Sequence, residues 1–243
     1  MSEFDYEDIW QGGWNDTTKY GPSCRHRRRI VGNMVKCVPH ETVLDLGCGD
    51  GALLAEMSQR IDAQFLGSDI SEHALDIARK NVPDIPFVQL DLGKGVPDGT
   101  FDVVVMSEVL EHIEDDEAVM RKVAPITKHI VISVPGGPAD KVDKRFGHFR
   151  NYDGDLLKRK LQANGFDVVY FRRWGVPFYE LTQLLLNSCT EDAAAAAGGR
   201  YSPMKKFVAN TLYIAFFLNV LPMGSQVFAI GRSRTPPKET AQD

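Results

Sequence analysis

The sequence is short of several features that mark specialised classes of protein. Its 243 residues hold four cysteines, Cys24, Cys37, Cys48 and Cys189. None forms a C-x-x-C pair and no histidine spacing completes a zinc-finger pattern, so free thiols in a reducing compartment are expected. No apolar run reaches the roughly 20 residues that a membrane-spanning helix needs. The most apolar stretch, 207–221, is interrupted by Asn210, Thr211 and Asn219. Basic charge is not in excess: 28 Lys and Arg stand against 33 Asp and Glu, a net −5, which disfavours a nucleic-acid partner. The first ten residues, MSEFDYEDIW, are acidic and lack the apolar core of a secretory signal or the basic character of a presequence. A cytoplasmic protein is expected.

What remains is an ordinary globular composition, 43% hydrophobic and 25% charged, with strand and helix signals alternating from residue 42 onward. Apolar strands are expected at 42–46, 64–69, 86–90, 101–106, 129–134, 166–171 and 226–231. Helices are expected at 52–60, from a Ser71 cap to Pro83, at 115–123 and at 153–164. Continuous apolar strands alternating with helices predict an α/β fold with a mostly parallel sheet covered on both faces. The expected layout is an N-terminal cap element at 1–40, a core at 41–174, a helical insertion at 175–224, a last core strand at 225–232 and a disordered tail at 233–243. The alanine run at 193–197 reads as a flexible linker.

The strongest local signal is V-L-D-L-G-C-G-D-G at 43–51. Gly47, Gly49 and Gly51 follow an apolar strand and open a helix, so backbone can approach a ligand closely. The spacing is G-x-G-x-G with Asp45 two residues ahead, not the G-x-G-x-x-G of dinucleotide binders, so a nicotinamide cofactor is disfavoured.

These residues resemble the class I S-adenosylmethionine-dependent methyltransferases over roughly 40–174, and the last strand fits the same pattern. The resemblance implies a Rossmann-like seven-stranded sheet and S-adenosyl-L-methionine as cofactor. It implies that Asp45, Gly47, Cys48, Gly49 and Gly51 line the methionine and ribose portions. Asp69, with Ile70 beside it, would take the ribose hydroxyls, which call for paired acceptors. Asp91 and Leu92 would hold the adenine.

After the fourth strand comes S-E-V-L-E-H at 107–112. A helical turn there would gather Glu108, Glu111 and His112 on one face. The segment resembles that of ubiquinone-pathway O-methyltransferases, in which the serine backs the cofactor and the two glutamates and histidine bind Mg²⁺. It also resembles the E-x-x-E-H…H set of small-RNA 2′-O-methyltransferases. The resemblance implies that Ser107 backs the cofactor, and that Glu108, Glu111, His112 and His148 are candidate metal ligands. Without a metal, Glu111, His112 and His148 are candidates for proton transfer. In G-H-F-R-N-Y at 147–152, an extended chain would put His148, Arg150 and Tyr152 on one face near the acceptor.

Two pieces outside the core are expected to choose the acceptor. The first holds Trp14, Tyr20 and a run of arginines, among which Arg27 is the candidate substrate contact. The second is the insertion, whose segment 207–221 is too apolar to stay fully exposed. Packing as a lid over the active site is the favoured reading, with a homodimer contact or a membrane surface beside it. A methyl transfer to a small molecule is expected, most naturally at a hydroxyl oxygen. Transfer to nitrogen or carbon, RNA 2′-O-methylation, aminopropyl transfer and non-catalytic cofactor binding are the alternatives.

Overall fold

The computed structural model describes residues 14–138, 147–153, 155–188, 200–235 and 237. Seven strands form one sheet: β1 (Thr42–Leu46), β2 (Gln64–Asp69), β3 (Phe87–Gln89), β4 (Phe101–Ser107), β5 (Thr127–Pro135), β6 (Phe166–Trp174) and β7 (Gln226–Ser233). Their order is β3-β2-β1-β4-β5-β7-β6. The first five run parallel, and β7 lies antiparallel between β5 and β6. The expectation of a mostly parallel α/β sheet holds. The order turns back between β1 and β4, which opens a crevice at their carboxyl ends.

The helices are α1 (Trp14–Tyr20), α2 (Pro22–Val35), α3 (Ala52–Ser58), α4 (Glu72–Asn81), α5 (Asp116–Val123), α6 (Leu156–Ala163), α7 (Phe178–Ser188) and α8 (Pro203–Ala215). Because helices cover both faces, the strands read as apolar runs without alternation, as in Val103–Met106, all of it fully buried. One face packs Ile30, Val31 and Met34 of α2 with Leu53 and Leu54 of α3. The other packs Val119 and Met120 of α5 with Leu157 and Leu161 of α6. The Ser71 hydroxyl caps α4 by accepting the Ala74 N–H at 3.1 Å, and Asp115 caps α5 through the Ala118 N–H at 2.9 Å.

The 207–221 stretch is helical only to Ala215, then makes a tight turn over Phe216–Leu218. Asn219 explains one of its polar interruptions. Its side-chain oxygen accepts the N–H of Phe178 at 2.7 Å and of Tyr179 at 3.4 Å, two donors that the start of α7 leaves without intrahelical partners. The insertion is pinned to α2 by His26. That ring lies 5.4 Å from Trp174 and 4.6 Å from Tyr213, and Nε2 donates to the Tyr213 carbonyl at 2.7 Å. Arg29 donates to Nδ1 at 3.1 Å, which is consistent only with a neutral ring. Burial, with Arg29 and Arg25 nearby, pushes the His26 pKa down to about 4 despite that carbonyl. The expected linker at 193–197 and Cys189 lie outside the described residues, as does most of the expected tail.

Candidate active site

The glycine turn links the carboxyl ends of β1 and β2. The N–H groups of Gly47 and Cys48 donate to the Ser68 carbonyl at 2.7 and 2.8 Å, which bends the chain back over β2. Gly47 stands at φ 76°, and a Cβ there would sit 2.5 Å from the Val109 side chain. The turn therefore lies directly against the loop after β4 and admits only glycine at this point. Asp69, at the end of β2, accepts the Gly49 N–H at 2.8 Å and the Ser71 N–H at 3.0 Å, one on each oxygen. Ile70 beside it is an exposed apolar shelf. Asp91 accepts the Gly93 N–H at 2.9 Å and pairs with Lys94 at 3.2 Å, and both hold its carboxyl below the ordinary range. Leu92 is half-buried against the core.

Asp45 is the electrostatic centre of the cradle. It is 1% exposed, and neither carboxylate oxygen has a hydrogen-bond partner among the described residues. Burial and the nearby Asp69 charge push its pKa up to about 7. Burial first, then Asp45 and Asp69, also raise the Cys48 thiol, so it is neutral. A buried acid with unmet acceptors fits a cationic amine, such as the methionine ammonium of S-adenosylmethionine. The sign for stability follows. The folded pKa lies above the unfolded value, so in the ligand-free protein stability is lost as pH rises from about 4 to about 7, by at most about 4 kcal/mol. Asp45→Asn is expected to flatten that loss in thermal melts between pH 5 and pH 8 and to weaken cofactor binding at pH 8. Wild-type affinity should rise with pH through 7. A pH-independent affinity would refute the role.

The segment after β4 departs from a simple helical turn. Glu108 adopts φ 58°, a left-handed conformation that costs a non-glycine residue about 1 kcal/mol or more. Its N–H donates to the Ser133 carbonyl at 2.8 Å, and its carboxylate pairs with Arg27 at 3.2 Å. A 3-10 turn over Leu110–His112 follows. The expected face joining Glu108 to Glu111 and His112 therefore does not form. The structure instead gathers Glu111, His112 and His148, with donor atoms all within 4.8 Å of one another, and turns Glu108 toward α2. The His112 and His148 rings meet edge to face at 4.6 Å. The Phe149 N–H donates to the Glu111 carbonyl at 2.8 Å and so holds the two segments together. Ser107 Oγ lies 2.9 Å from Ser133 Oγ at the floor of the crevice.

Three candidate substrate contacts serve the scaffold instead. Tyr152 is fully buried, and its hydroxyl donates to Asp116 at 2.5 Å. Lys160 meets the same carboxylate at 2.6 Å. Arg150 donates to the carbonyls of Leu110, Ile113 and Glu114 and pairs with Asp116 at 3.5 Å. A fork with several donors can bind a loop of carbonyls, so Arg150 shapes the turn that presents Glu111. Tyr20 packs on Tyr201 at 5.8 Å, between α1 and the insertion. The Trp14 side chain lies outside the described residues.

Arg27 ends at the Glu108 carboxylate. Burial opposes its charge, but Glu108 together with Cys24, Tyr179 and Glu111 more than offsets this and raises its pKa. Two participants were missed in the sequence. Thr18 of α1 donates to Asp50 inside the glycine turn at 2.5 Å, and Asp50 also accepts the Ala52 N–H at 3.1 Å. The N-terminal element thus sits on the cradle. Its only sequence signal is an acid inside the glycine turn.

Residues 23–170 match the methyltransferase-domain family, more than half of the chain. Over 94 residues the chain is 38% identical to the ubiquinone biosynthesis O-methyltransferase of Neisseria meningitidis serogroup A, a match covering 35% of this chain and 39% of that protein. The mitochondrial ubiquinone biosynthesis O-methyltransferase of Schizosaccharomyces pombe is 35% identical over 100 residues, covering 37% and 36%. The chain thus spans about two fifths of the length of these curated relatives. The N-methyltransferase NodS from Bradyrhizobium japonicum, solved with S-adenosylhomocysteine, has a similar fold, with a TM-score of 0.62, 14% identity and coverage of 95% and 99%. The magnesium protoporphyrin IX methyltransferase of Synechocystis superposes with a TM-score of 0.58 at 18% identity, covering 93% and 94%. The cradle and the family match agree: this chain belongs to the methyltransferase-domain family.

Proposed function

We propose that the enzyme methylates a hydroxyl oxygen of a small-molecule acceptor. The observation that carries this reading is the Glu111, His112 and His148 group, whose first two members lie on the loop whose Val109 packs against Gly47 of the cradle. Bound S-adenosylmethionine supplies an electrophilic sulfonium methyl group. Asp45, Asp69 and Asp91 fix its ends, so the chain's work is to orient the two reactants and keep water out. His148 takes the acceptor's hydroxyl proton as general base. Glu111 is a fully buried carboxyl beside the two rings and holds them in position. The ubiquinone-pathway relatives, named for O-methylation, support the same acceptor atom.

The closeness of the three donor groups favours a second reading, in which they hold a divalent ion that lowers the pKa of the acceptor hydroxyl. N and O ligands of one tetrahedral ion stand about 3.4 Å apart, so the 4.8 Å envelope would have to tighten by more than about 1 Å around an ion. One carboxylate with two imidazoles suits a borderline ion such as Mn²⁺ or Zn²⁺ better than Mg²⁺.

The test is radiolabelled methyl transfer to a matched series of aromatic acceptors that differ only in bearing a hydroxyl, an amine or neither. Label in a methyl ether from the hydroxyl compounds is expected. Label found only in amines, or only in RNA, would overturn the reading.

A further inference from the structure

The insertion wears its apolar side outward. α8 buries Ala209 and half-buries Leu212 and Tyr213, yet Met204, Phe207, Val208 and Ile214 along its opposite stripe are exposed, Phe207 and Ile214 each by 69%. A helix on a soluble surface normally does the reverse. α7 repeats the inversion with Leu181, Leu184 and Leu185, and the chain continues it through Leu218, Val220 and Met223. Isolated surface leucines need no explanation, but exposed apolar stripes on both helices, each touching the 216–218 turn, mark an interaction surface.

The charges around this surface are mostly basic, with Asp16 beside Tyr201 and Glu180 at the start of α7 as acidic neighbours. Residues 200–225 contain Arg200, Lys205 and Lys206 and no acid, and residues 22–40 contain four arginines and Lys36 and no acid, in a chain whose net charge is −5. Several of these cations sit on aromatic rings at the border of the apolar stripe. Arg25 lies 3.6 Å from the Tyr213 ring centre, Arg29 4.5 Å from Phe217, Lys205 4.2 Å from Tyr201 and Lys206 4.4 Å from Tyr20. A groove of about 750 Å³ opens beside them, lined by Arg29 and Arg172 with Trp174, Phe217 and Val220. An apolar stripe bordered by cations and tyrosines matches the layered chemistry of a lipid headgroup region. A two-fold contact with a second copy would set these cations against themselves.

We propose that α7, α8 and the segment 216–223 dock the enzyme on an anionic phospholipid bilayer. The exposed apolar side chains enter the boundary between headgroups and acyl chains, and Arg25, Arg29, Lys205 and Lys206 meet the lipid phosphates. No helix among the described residues is long and apolar enough to cross a membrane, so the surface lies on the bilayer. The same α2 that carries His26 against α8 carries Arg27 to Glu108, so the docked face adjoins the catalytic crevice.

Flotation of the full chain with equimolar phosphatidylglycerol–phosphatidylcholine vesicles tests this, with pure phosphatidylcholine vesicles as the comparison. Strong binding to the anionic vesicles and weak binding to the neutral ones are expected. Lys205→Gln with Lys206→Gln should weaken binding roughly 30-fold, and Phe207→Ser with Leu218→Ser should abolish it. S-adenosylmethionine affinity should stay unchanged in both variants, which shows that the fold is intact and keeps this test separate from the choice of acceptor. Equal binding to both vesicle types, wild-type binding by both variants, or no vesicle binding would overturn the proposal. A wild-type dimer that the serine variant dissociates, without vesicle binding, would assign the surface to a second copy instead.

Discussion

Replacing Asp69 by alanine is expected to weaken S-adenosylmethionine binding by a hundredfold or more. A carboxylate accepting from two neighbouring ribose hydroxyls makes two charge-assisted hydrogen bonds, each worth about 1.5–3 kcal/mol, and alanine removes both. The loss extends to the protein itself. Asp69 also accepts the Gly49 and Ser71 N–H groups, so alanine releases the glycine turn from the start of α4. Asp69→Asn keeps one acceptor oxygen and should lie between alanine and wild type. Calorimetric titration of the three proteins checks the order. Equal affinities would remove Asp69 from the cofactor site.

The second large effect is expected in turnover, not in cofactor affinity. His148→Ala should lower kcat by about a hundredfold to ten-thousandfold, the usual range for loss of a positioned general base. Glu111→Gln should follow it, because the carboxyl lies in the same donor group. Chelation separates the two readings of that group. If the histidine is a base, EDTA leaves wild-type turnover intact. If the group holds an ion, EDTA abolishes wild-type turnover, and Mn²⁺ or Zn²⁺ restores it in wild type far more readily than in either variant. Full activity in both variants would dismiss both readings.

The parts legible in the sequence are those written in neighbouring residues. The glycine pattern after an apolar run and the Ser71 cap, which accepts the Ala74 N–H three positions on, are set by residues within a few positions. The illegible parts depend on distant partners. Tyr152 and Arg150 look like acceptor contacts until Asp116, 36 and 34 positions away, is placed beside them. Glu108 looks like a partner of Glu111 until its left-handed backbone and Arg27, 81 positions away, turn it aside. Side-chain spacing also assumed a regular helix after β4, whereas the shorter 3-10 turn begins only at Leu110. The insertion was visible as surplus apolar chain, but which side would face out was fixed by His26 of α2.

The position of β7 has a consequence for synthesis. β5 ends at residue 135 and β6 at residue 174, and the strand that joins them is not made until 226–233. While the ribosome is still extending the insertion, two long strands wait with unpaired edges, a state prone to pairing with other chains. A nascent chain stalled before residue 226 is therefore a candidate client for chaperones, and a stop codon just upstream of Gln226 should yield aggregates instead of a smaller working enzyme.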